Sequence, residues 1–303
     1  MKMMRLVAAA AGLLAAMVIG YAQPGGGNAM QMSPEQRQAM MRQMNEPPSD
    51  PAFRFEQISL VSAGKKIYGE AFFPVAPGKH PAIIMSHGYN SSHTSFYSLI
   101  RELAKEGYVC YCYDFAGGAS RSRSEGDSRE MSIFTERQNL VDVIDLVRSW
   151  DAVDAGNVFL LGESQGGCVS AITAPYIADK IRGAMLYFPA FCIPDDAIAR
   201  YAKYADVPDE HNFMGLNIGR AYYDARFYEG WDIYKEIAQY EGPVLIVHGT
   251  NDGLVKPEYS ALAANAYKDC ELHLIFGGEH GVRPQTQDQY LAYTRDFLAR
   301  HLR

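Results

Sequence analysis

The sequence lacks the features that mark several large classes of protein. Its 28 basic residues are outnumbered by 35 acidic ones, so it has no basic excess with which to bind a nucleic acid. Its five cysteines are too few for a disulfide scaffold, and they form no Cys-x-x-Cys pair that would suggest zinc binding or redox chemistry. No apolar run reaches the roughly 20 residues of a membrane-spanning helix. With 48% hydrophobic and 21% charged residues, the composition is that of an ordinary globular protein.

The first residues have the pattern of an export signal. A positively charged start is followed by the uncharged run Leu6–Gly20 and then by Ala22, a small residue suited to a cleavage position. The pattern predicts a signal peptide over residues 1–22 and an exported protein, periplasmic or secreted, with no stable membrane span after cleavage. An uncleaved N-terminal anchor is the alternative interpretation.

The rest of the chain divides into a linker and one large domain. Residues 23–52 are rich in Gly, Pro, Gln and Met and predict a flexible linker. Over 53–303, apolar strands alternate with helices after an opening antiparallel hairpin. The alternation predicts an α/β fold, a mostly parallel sheet with helices on both faces. Thr135 and Gln138 form a capping-box pattern that would open one helix. The Tyr- and Asp-rich stretch 189–240 is too long for a plain loop and is interpreted as an inserted lid.

A candidate nucleophile lies in the pattern Gly-x-Ser-x-Gly. Ser164 stands between Gly162 and Gly166, directly after the apolar run Val158–Leu161 and directly before a predicted helix. This strand–turn–helix setting is that of a nucleophile elbow, in which a strained turn makes the hydroxyl project. A plain glycine-rich turn is the alternative.

A serine hydroxyl needs a base to become a nucleophile, and the base needs an acid to orient it. His280 follows the predicted strand Glu271–Phe276, and Asp252 follows the predicted strand Val244–Val247. The carboxyl ends of parallel strands gather at one edge of a sheet, which predicts that the three side chains meet there. Rival acids are Glu279, Asp232 and Asp224. His248 is interpreted as structural.

Two backbone N–H groups are candidates for an oxyanion hole. The N–H of Gln165 opens the helix after Ser164, where it points into the site. The second donor is expected from the loop after the third predicted strand, at the N–H of Tyr89, with Gly88 permitting a tight backbone path. His87 is interpreted as bracing this loop through hydrogen bonds, and a direct catalytic role is the alternative.

These pieces resemble the α/β-hydrolase family and, more narrowly, the cinnamoyl (feruloyl) esterase group of bacterial serine esterases. The matching segments are 87–89, 162–167, 189–190, 243–249 and 278–280. The resemblance implies an α/β-hydrolase fold with an inserted lid subdomain that binds a phenolic ring. It also implies that Asp196 and Tyr222 contact the substrate; ordinary lid surface is the equally weighted alternative.

The resemblance implies a serine carboxylesterase acting through a Ser-His-Asp triad and an acyl-enzyme, on hydroxycinnamoyl esters of polysaccharide or on small aryl and acyl esters. Such chemistry uses no metal and no organic cofactor. A serine peptidase or amidase of the same fold is the first alternative, although peptidases usually carry an additional domain. A non-catalytic hydrolase-fold binding protein is the second. No oligomeric state is predicted.

Overall fold

The computed structural model describes residues 33, 35 and 45–303. The chain divides into two units, Met1–Glu46 and Pro47–Arg303. The predicted signal peptide, residues 1–22, lies outside the described residues, as does most of the predicted linker. Both therefore remain predictions, and the description below concerns the second unit.

Residues 45–303 form twelve strands, eight of which build the main sheet. In chain order they are β1 (Phe53–Gln57), β2 (Leu60–Ser62), β3 (Lys65–Ile67), β4 (Gly69–Pro74), β5 (His80–Ser86), β6 (Val109–Tyr113), β7 (Val153–Glu163), β8 (Gly183–Tyr187), β9 (Glu210–Phe213), β10 (Leu216–Gly219), β11 (Val244–Gly249) and β12 (Cys270–Ile275). The main sheet has the order β1-β4-β6-β5-β7-β8-β11-β12. Strands β1, β4 and β6 pair antiparallel at one side, and all pairs from β6 to β12 are parallel.

Helices cover both faces of this sheet. They are α1 (Tyr97–Lys105), α2 (Ile133–Arg148), α3 (Gln165–Thr173), α4 (Ile193–Arg200), α5 (Asp224–Phe227), α6 (Ile233–Ile237), α7 (Pro257–Ala266) and α8 (Gln287–His301). Short 3-10 helices are formed by His93–Phe96, Ser128–Glu130, Ala174–Ile177, Tyr204–Asp206 and Arg220–Tyr223. Among the described residues, no helix combines the length and the hydropathy that crossing a bilayer requires.

The central strands are buried on both sides. Leu160 belongs to the core cluster that contains residues of α2 and α3, and its neighbour Leu161 belongs to the cluster that contains residues of α1 and α8. Because successive side chains of a strand point to opposite faces, a strand covered on both faces is apolar throughout. The mostly parallel sheet predicted from the sequence is confirmed.

The start of α2 differs from the prediction. Its cap is Ser132, whose hydroxyl accepts the N–H of Thr135 at 3.2 Å, while the Thr135 hydroxyl accepts the Ser132 N–H at 2.9 Å. Thr135 is therefore the second member of the capping box instead of the first. Gln138 is already inside the helix and donates to Asp142, so the predicted helix start was wrong by one turn.

Residues 188–243, between β8 and β11, are here named the connecting segment. They add no strand to the main sheet; instead β9 and β10 form an antiparallel pair of their own. A small separate core holds Leu216, Ile218 and Tyr223 of this segment together with Met131. The segment has the place in the chain predicted for a lid, and its action as a lid stays a prediction.

Candidate active site

Ser164 occupies a strained turn between β7 and α3. Its backbone has φ 52° and ψ −116°, a region that residues other than glycine rarely adopt. The conformation is held by the Ser164 N–H, which donates to Tyr187 O at 2.9 Å, and by the Ser164 carbonyl, which accepts the Ala190 N–H at 2.9 Å. The strain is thus maintained by neighbouring backbone and sets the direction of the hydroxyl.

The flanking glycines are required by close backbone approach. A Cβ atom on Gly162 would lie 2.3 Å from Gly166 O, and one on Gly166 would lie 2.1 Å from Ser86 O. No side chain fits at such distances, so the turn is open only to glycine at both positions. The predicted reason for the glycines is confirmed.

The three predicted side chains lie together at the carboxyl edge of the sheet. His280 Nε2 is 3.1 Å from Ser164 Oγ, and His280 Nδ1 is 2.7 Å from Asp252 Oδ2. The two loops that carry Asp252 and His280 are joined directly, because the Asn251 N–H donates to Gly278 O at 2.8 Å. The arrangement can pass a proton from the hydroxyl to an imidazole that a carboxylate orients.

Asp252 is a buried carboxylate with several donors. Its Oδ1 accepts the N–H groups of Leu254 and Val255, each at 2.9 Å, and its Oδ2 also lies 3.1 Å from His248 Nε2. Burial alone would raise the pKa of Asp252, but hydrogen bonds from His248 and His280 outweigh it and hold the pKa well below its usual range. The carboxylate is therefore charged at neutral pH. His248 contacts the acid and not the serine, as predicted for a structural residue.

Both predicted oxyanion donors border Ser164. Gln165 directly follows it at the start of α3, and a Cβ atom on Gly88 would lie 3.1 Å from Ser164 Cβ, which brings the Tyr89 peptide to the same place. Within the part of the chain that the structure describes, neither the Gln165 N–H nor the Tyr89 N–H donates a hydrogen bond. Two free N–H groups beside a hydroxyl can bind the negative oxygen of a tetrahedral intermediate.

His87 braces the loop that carries Tyr89. Its Nε2 accepts the Phe115 N–H at 3.1 Å, so its Nδ1 carries the proton and donates to Gly88 O at 2.7 Å. Burial lowers the pKa of His87, which keeps the ring neutral. The bracing role predicted for this residue agrees with these bonds.

Known proteins share this architecture. The family model described as Serine aminopeptidase, S33, matches residues 78–227. Est1E from Butyrivibrio proteoclasticus, in its structure with ferulic acid bound, is similar with a TM-score of 0.72 at 24% identity, over 80% of this chain and 98% of that one. The α/β hydrolase GrgF from Penicillium sp. sh18 is similar with a TM-score of 0.65 at 18% identity, over 82% and 99%. The chain has the α/β-hydrolase fold.

An acetyl xylan esterase from Paenibacillus sp. R4 shares the fold of this hydrolase with a TM-score of 0.65 at 16% identity, over 88% of this chain and 93% of that one. At such identities the likeness extends to the fold. The geometry of this chain itself is therefore the basis for assigning its candidate catalytic residues.

The two predicted substrate contacts of the hydrolase, Asp196 and Tyr222, line one small cavity in the connecting segment. Its volume is about 20 Å³, room for about one water molecule, and its other lining residues are Ile193, Ala197, Arg200, Phe213 and Tyr223. Although part of the Asp196 side chain is exposed, the surrounding protein raises the pKa of its carboxyl by desolvation. The structure thus brings the pair together, and their contact with a substrate stays a prediction.

The sequence analysis missed two buried acids next to the nucleophile. Glu163 precedes Ser164, and Glu136 of α2 accepts a hydrogen bond from Gln165 Nε2 at 2.8 Å. Burial raises the pKa of each carboxyl to about 8, so both are neutral at pH 7. One signal was available for Glu136: it lies between Ile133 and Leu140 on the apolar face of a helix, where an acidic residue is unusual.

Proposed function

We propose that this α/β hydrolase is an exported serine carboxylesterase. The observation that carries the proposal is the continuous hydrogen-bonded chain from Ser164 Oγ through His280 to Asp252, at 3.1 and 2.7 Å. At its Ser164 end lie two backbone N–H groups that donate no hydrogen bond within the described residues. Nucleophile, base, orienting acid and oxyanion donors are the parts that acyl transfer to a serine requires.

The reaction begins with attack of Ser164 Oγ on the ester carbonyl while His280 Nε2 takes the hydroxyl proton. The negative carbonyl oxygen is bound by the N–H groups of Tyr89 and Gln165. His280, now an imidazolium stabilised by Asp252, donates its proton to the departing alkoxide, and the alcohol leaves. The acyl group remains bonded to Ser164.

Water completes the cycle by the same route. His280 takes a proton from the water as its oxygen attacks the acyl carbon, and the same two N–H groups hold the second tetrahedral oxyanion. Collapse returns the proton to Ser164 Oγ and releases the acid. Each step uses groups of this chain and water alone.

The acyl group is proposed to be a hydroxycinnamate or another small aryl or short acyl group. Two observations support this choice: Asp196 and Tyr222 line the same small cavity of the connecting segment, and the solved structure of Est1E, of similar fold, holds ferulic acid. Asp196 and Tyr222 are proposed to contact the acyl group. The connecting segment that carries them is proposed to act as the lid.

The proposal is tested with the Ser164→Ala variant and two substrates, methyl ferulate and a nitrophenyl ester. We expect the wild type to hydrolyse both and the variant to lose at least about 10³-fold in kcat, since only binding and the oxyanion donors remain. A wild type without activity on either ester, or a variant as active as the wild type, would contradict the proposal.

A serine aminopeptidase is the second candidate, favoured by the description of the family model that matches residues 78–227. Such an enzyme needs a negative charge for the ammonium group of its substrate. The two acids next to the nucleophile, Glu136 and Glu163, are neutral at pH 7 because burial raises their pKa to about 8. Comparing aminoacyl nitroanilides with aryl esters separates the two activities, and we expect the esters to be hydrolysed faster.

Export is proposed from the N-terminal pattern alone, with cleavage near Ala22. The measurement is the intact mass of the protein recovered from the culture medium and periplasm. A mature chain starting near residue 23 is the expected result. Retention of the full-length chain in the membrane fraction would indicate the uncleaved anchor.

A further inference from the structure

The carboxyl of Glu136 has an unusual position for an acidic side chain. It lies in the first turn of α2, on the face that packs against the sheet, and only 1% of its surface is exposed. A buried carboxyl without a cation is costly and is retained where its hydrogen bonds are needed. Its neighbour Arg137 does not neutralise it, because Arg137 contacts Glu236 and the rings of Phe134 and Tyr176.

One oxygen of this carboxyl, Oε2, is hydrogen-bonded to the side chain of Gln165. Glu136 Oε2 accepts a hydrogen bond from Gln165 Nε2 at 2.8 Å. Within the described part of the chain, Gln165 Oε1 has no hydrogen-bond partner, so the carboxyl is the strong polar anchor of this amide. Gln165 carries one of the two proposed oxyanion donors on its own backbone.

The other oxygen, Oε1, lies beside Gly118, the residue that supports the loop of Tyr89. Glu136 Oε1 is 3.1 Å from the position that a Cβ atom would take on Gly118. The carbonyl of Gly118 accepts the Asn90 N–H at 3.1 Å, and Asn90 directly follows Tyr89, the residue of the second proposed donor. A single carboxyl is therefore hydrogen-bonded to the residue of one donor and lies beside Gly118, which supports the other. The two donors come from parts of the chain far apart in sequence.

We infer that Glu136 is a positioning residue for the oxyanion hole, setting the separation of the Gln165 and Tyr89 N–H groups through the Gln165 side chain and Gly118. The inference rests on the proposed function, since the oxyanion hole has meaning only for acyl transfer. The acid does not touch the substrate. It acts through Gln165, to which it is hydrogen-bonded, and through Gly118, beside which it lies.

The protonation state of Glu136 gives this role a pH dependence. Burial, opposed by the Gln165 hydrogen bond, raises the pKa of Glu136 to about 8. The ionisable groups that face it from the other elements are neutral at pH 7: Tyr89, Tyr113, Cys168, Tyr222 and His87. Below pH 8 the carboxyl is neutral; above pH 8 it becomes an anion behind the place where the oxyanion forms. Like charges in a low-dielectric site repel, so ionisation opposes the reaction.

Two variants separate positioning from charge. Glu136→Gln keeps an oxygen that accepts from Gln165 Nε2 but does not ionise, so kcat at pH 7 should stay within about twofold of the wild type. The wild-type kcat should fall at least about threefold between pH 7 and pH 9.5, and the Gln variant should not show this fall.

Glu136→Leu leaves Gln165 unanchored and should lower kcat about tenfold with KM within about twofold, a fraction of the loss caused by deleting an oxyanion donor.

Glu70→Gln is the matched control for a change at a buried acid. Glu70 is also 1% exposed, but its partners are Tyr68, Tyr97, His93 and Arg123, none of them a residue of the candidate site. This control should lower the melting temperature and leave kcat and its pH profile unchanged. If Glu136→Leu does not fold, the pH profile of Glu136→Gln decides the inference by itself.

The outcomes are distinct. A wild type without Ser164-dependent hydrolysis overturns the proposed function, and this inference with it. A wild type with such hydrolysis overturns the inference alone if Glu136→Gln keeps the alkaline fall in kcat, or if Glu136→Leu changes only the melting temperature. The inference is supported if Glu136→Gln loses the fall and Glu136→Leu loses kcat at constant KM.

Discussion

Two regions of the molecule supply the candidate site, and they are held in different ways. The residues Ser164, Asp252 and His280 lie at strand ends of one sheet, where backbone hydrogen bonds between neighbouring loops fix their positions. In the described part of the chain, the connecting segment bonds that edge through backbone only at its start, where the Phe188 and Ala190 N–H groups donate to Val247 O and Ser164 O. The loop that carries Tyr89 meets the segment through side chains. The Tyr89 hydroxyl donates to Phe213 O at 2.8 Å, and Asn90 Nδ2 donates to Met214 O at 3.2 Å.

This difference assigns the two regions different tasks. A sheet edge built by parallel strands holds the same geometry whatever side chains surround it, which suits the chemical step. A segment packed through tyrosines can change its residues without disturbing the sheet, which suits selection of the substrate. Variants at the sheet edge should therefore lower activity on every ester, whereas variants in the segment should change the preference among esters.

The largest effect is expected for Asp252→Asn. An asparagine presents no charge to His280 and favours the wrong imidazole tautomer, so kcat should fall about 10⁴-fold on all esters alike. The measurement is kcat on nitrophenyl acetate and on methyl ferulate. Glu279→Gln is the control, because Glu279 is the acid adjacent to His280 in sequence but is exposed. Loss of activity in the Glu279 variant instead would make Glu279 the orienting acid.

An intermediate effect is expected for Tyr222→Phe and Asp196→Asn. Each removes one polar partner from the cavity of the connecting segment, and one hydrogen bond is worth about tenfold in kcat/KM. The loss should appear with methyl ferulate, while nitrophenyl acetate, whose acyl group has no ring, should stay within about twofold. An equal loss on both esters would show that the connecting segment does not select the acyl group, so the two regions would not have separate tasks.

The smallest effect concerns stability. Burial raises the pKa of Glu163 from 4.5 to about 8, so the folded state favours the neutral acid. Its contribution to the free energy of unfolding is full below pH 4.5 and is lost as the pH rises to 8. Glu163→Gln should therefore raise the melting temperature more at pH 8 than at pH 5, by about 2 to 4 °C for each kcal/mol of the difference in a domain of this size. A shift that is the same at both pH values would contradict the burial argument.

The sequence predicted the sheet edge well for a physical reason. Ser164, Asp252 and His280 each lie within five residues of the end of a strand, and strands of a parallel sheet end at one edge, so chain order brings them together. The strained turn at Ser164 was equally predictable, since two glycines flank it. Chain order does not give the distances from His280 to Ser164 and Asp252, and these come from the structure.

Features made by tertiary packing were not predictable in the same way. Nothing local separates Ser132 from Thr135 as the cap of α2, because both carry a hydroxyl and only the fold decides where the helix begins. Glu163 looks like an ordinary surface acid until the packing buries it, and the one sequence signal for Glu136 is its place on the apolar face of a helix. The partners of the connecting segment depend on which tyrosines meet, which spacing along the chain does not encode.

The central claim is that Ser164 forms a covalent acyl-enzyme, and its most direct test is the mass of the protein after reaction with a fluorophosphonate. We expect one adduct per chain, located on Ser164 by peptide mass spectrometry. Labelling should be strongly slowed in His280→Ala and absent in Ser164→Ala. A wild-type chain that stays unlabelled, as a non-catalytic binding protein of this fold would, or an adduct on another residue, would contradict the account.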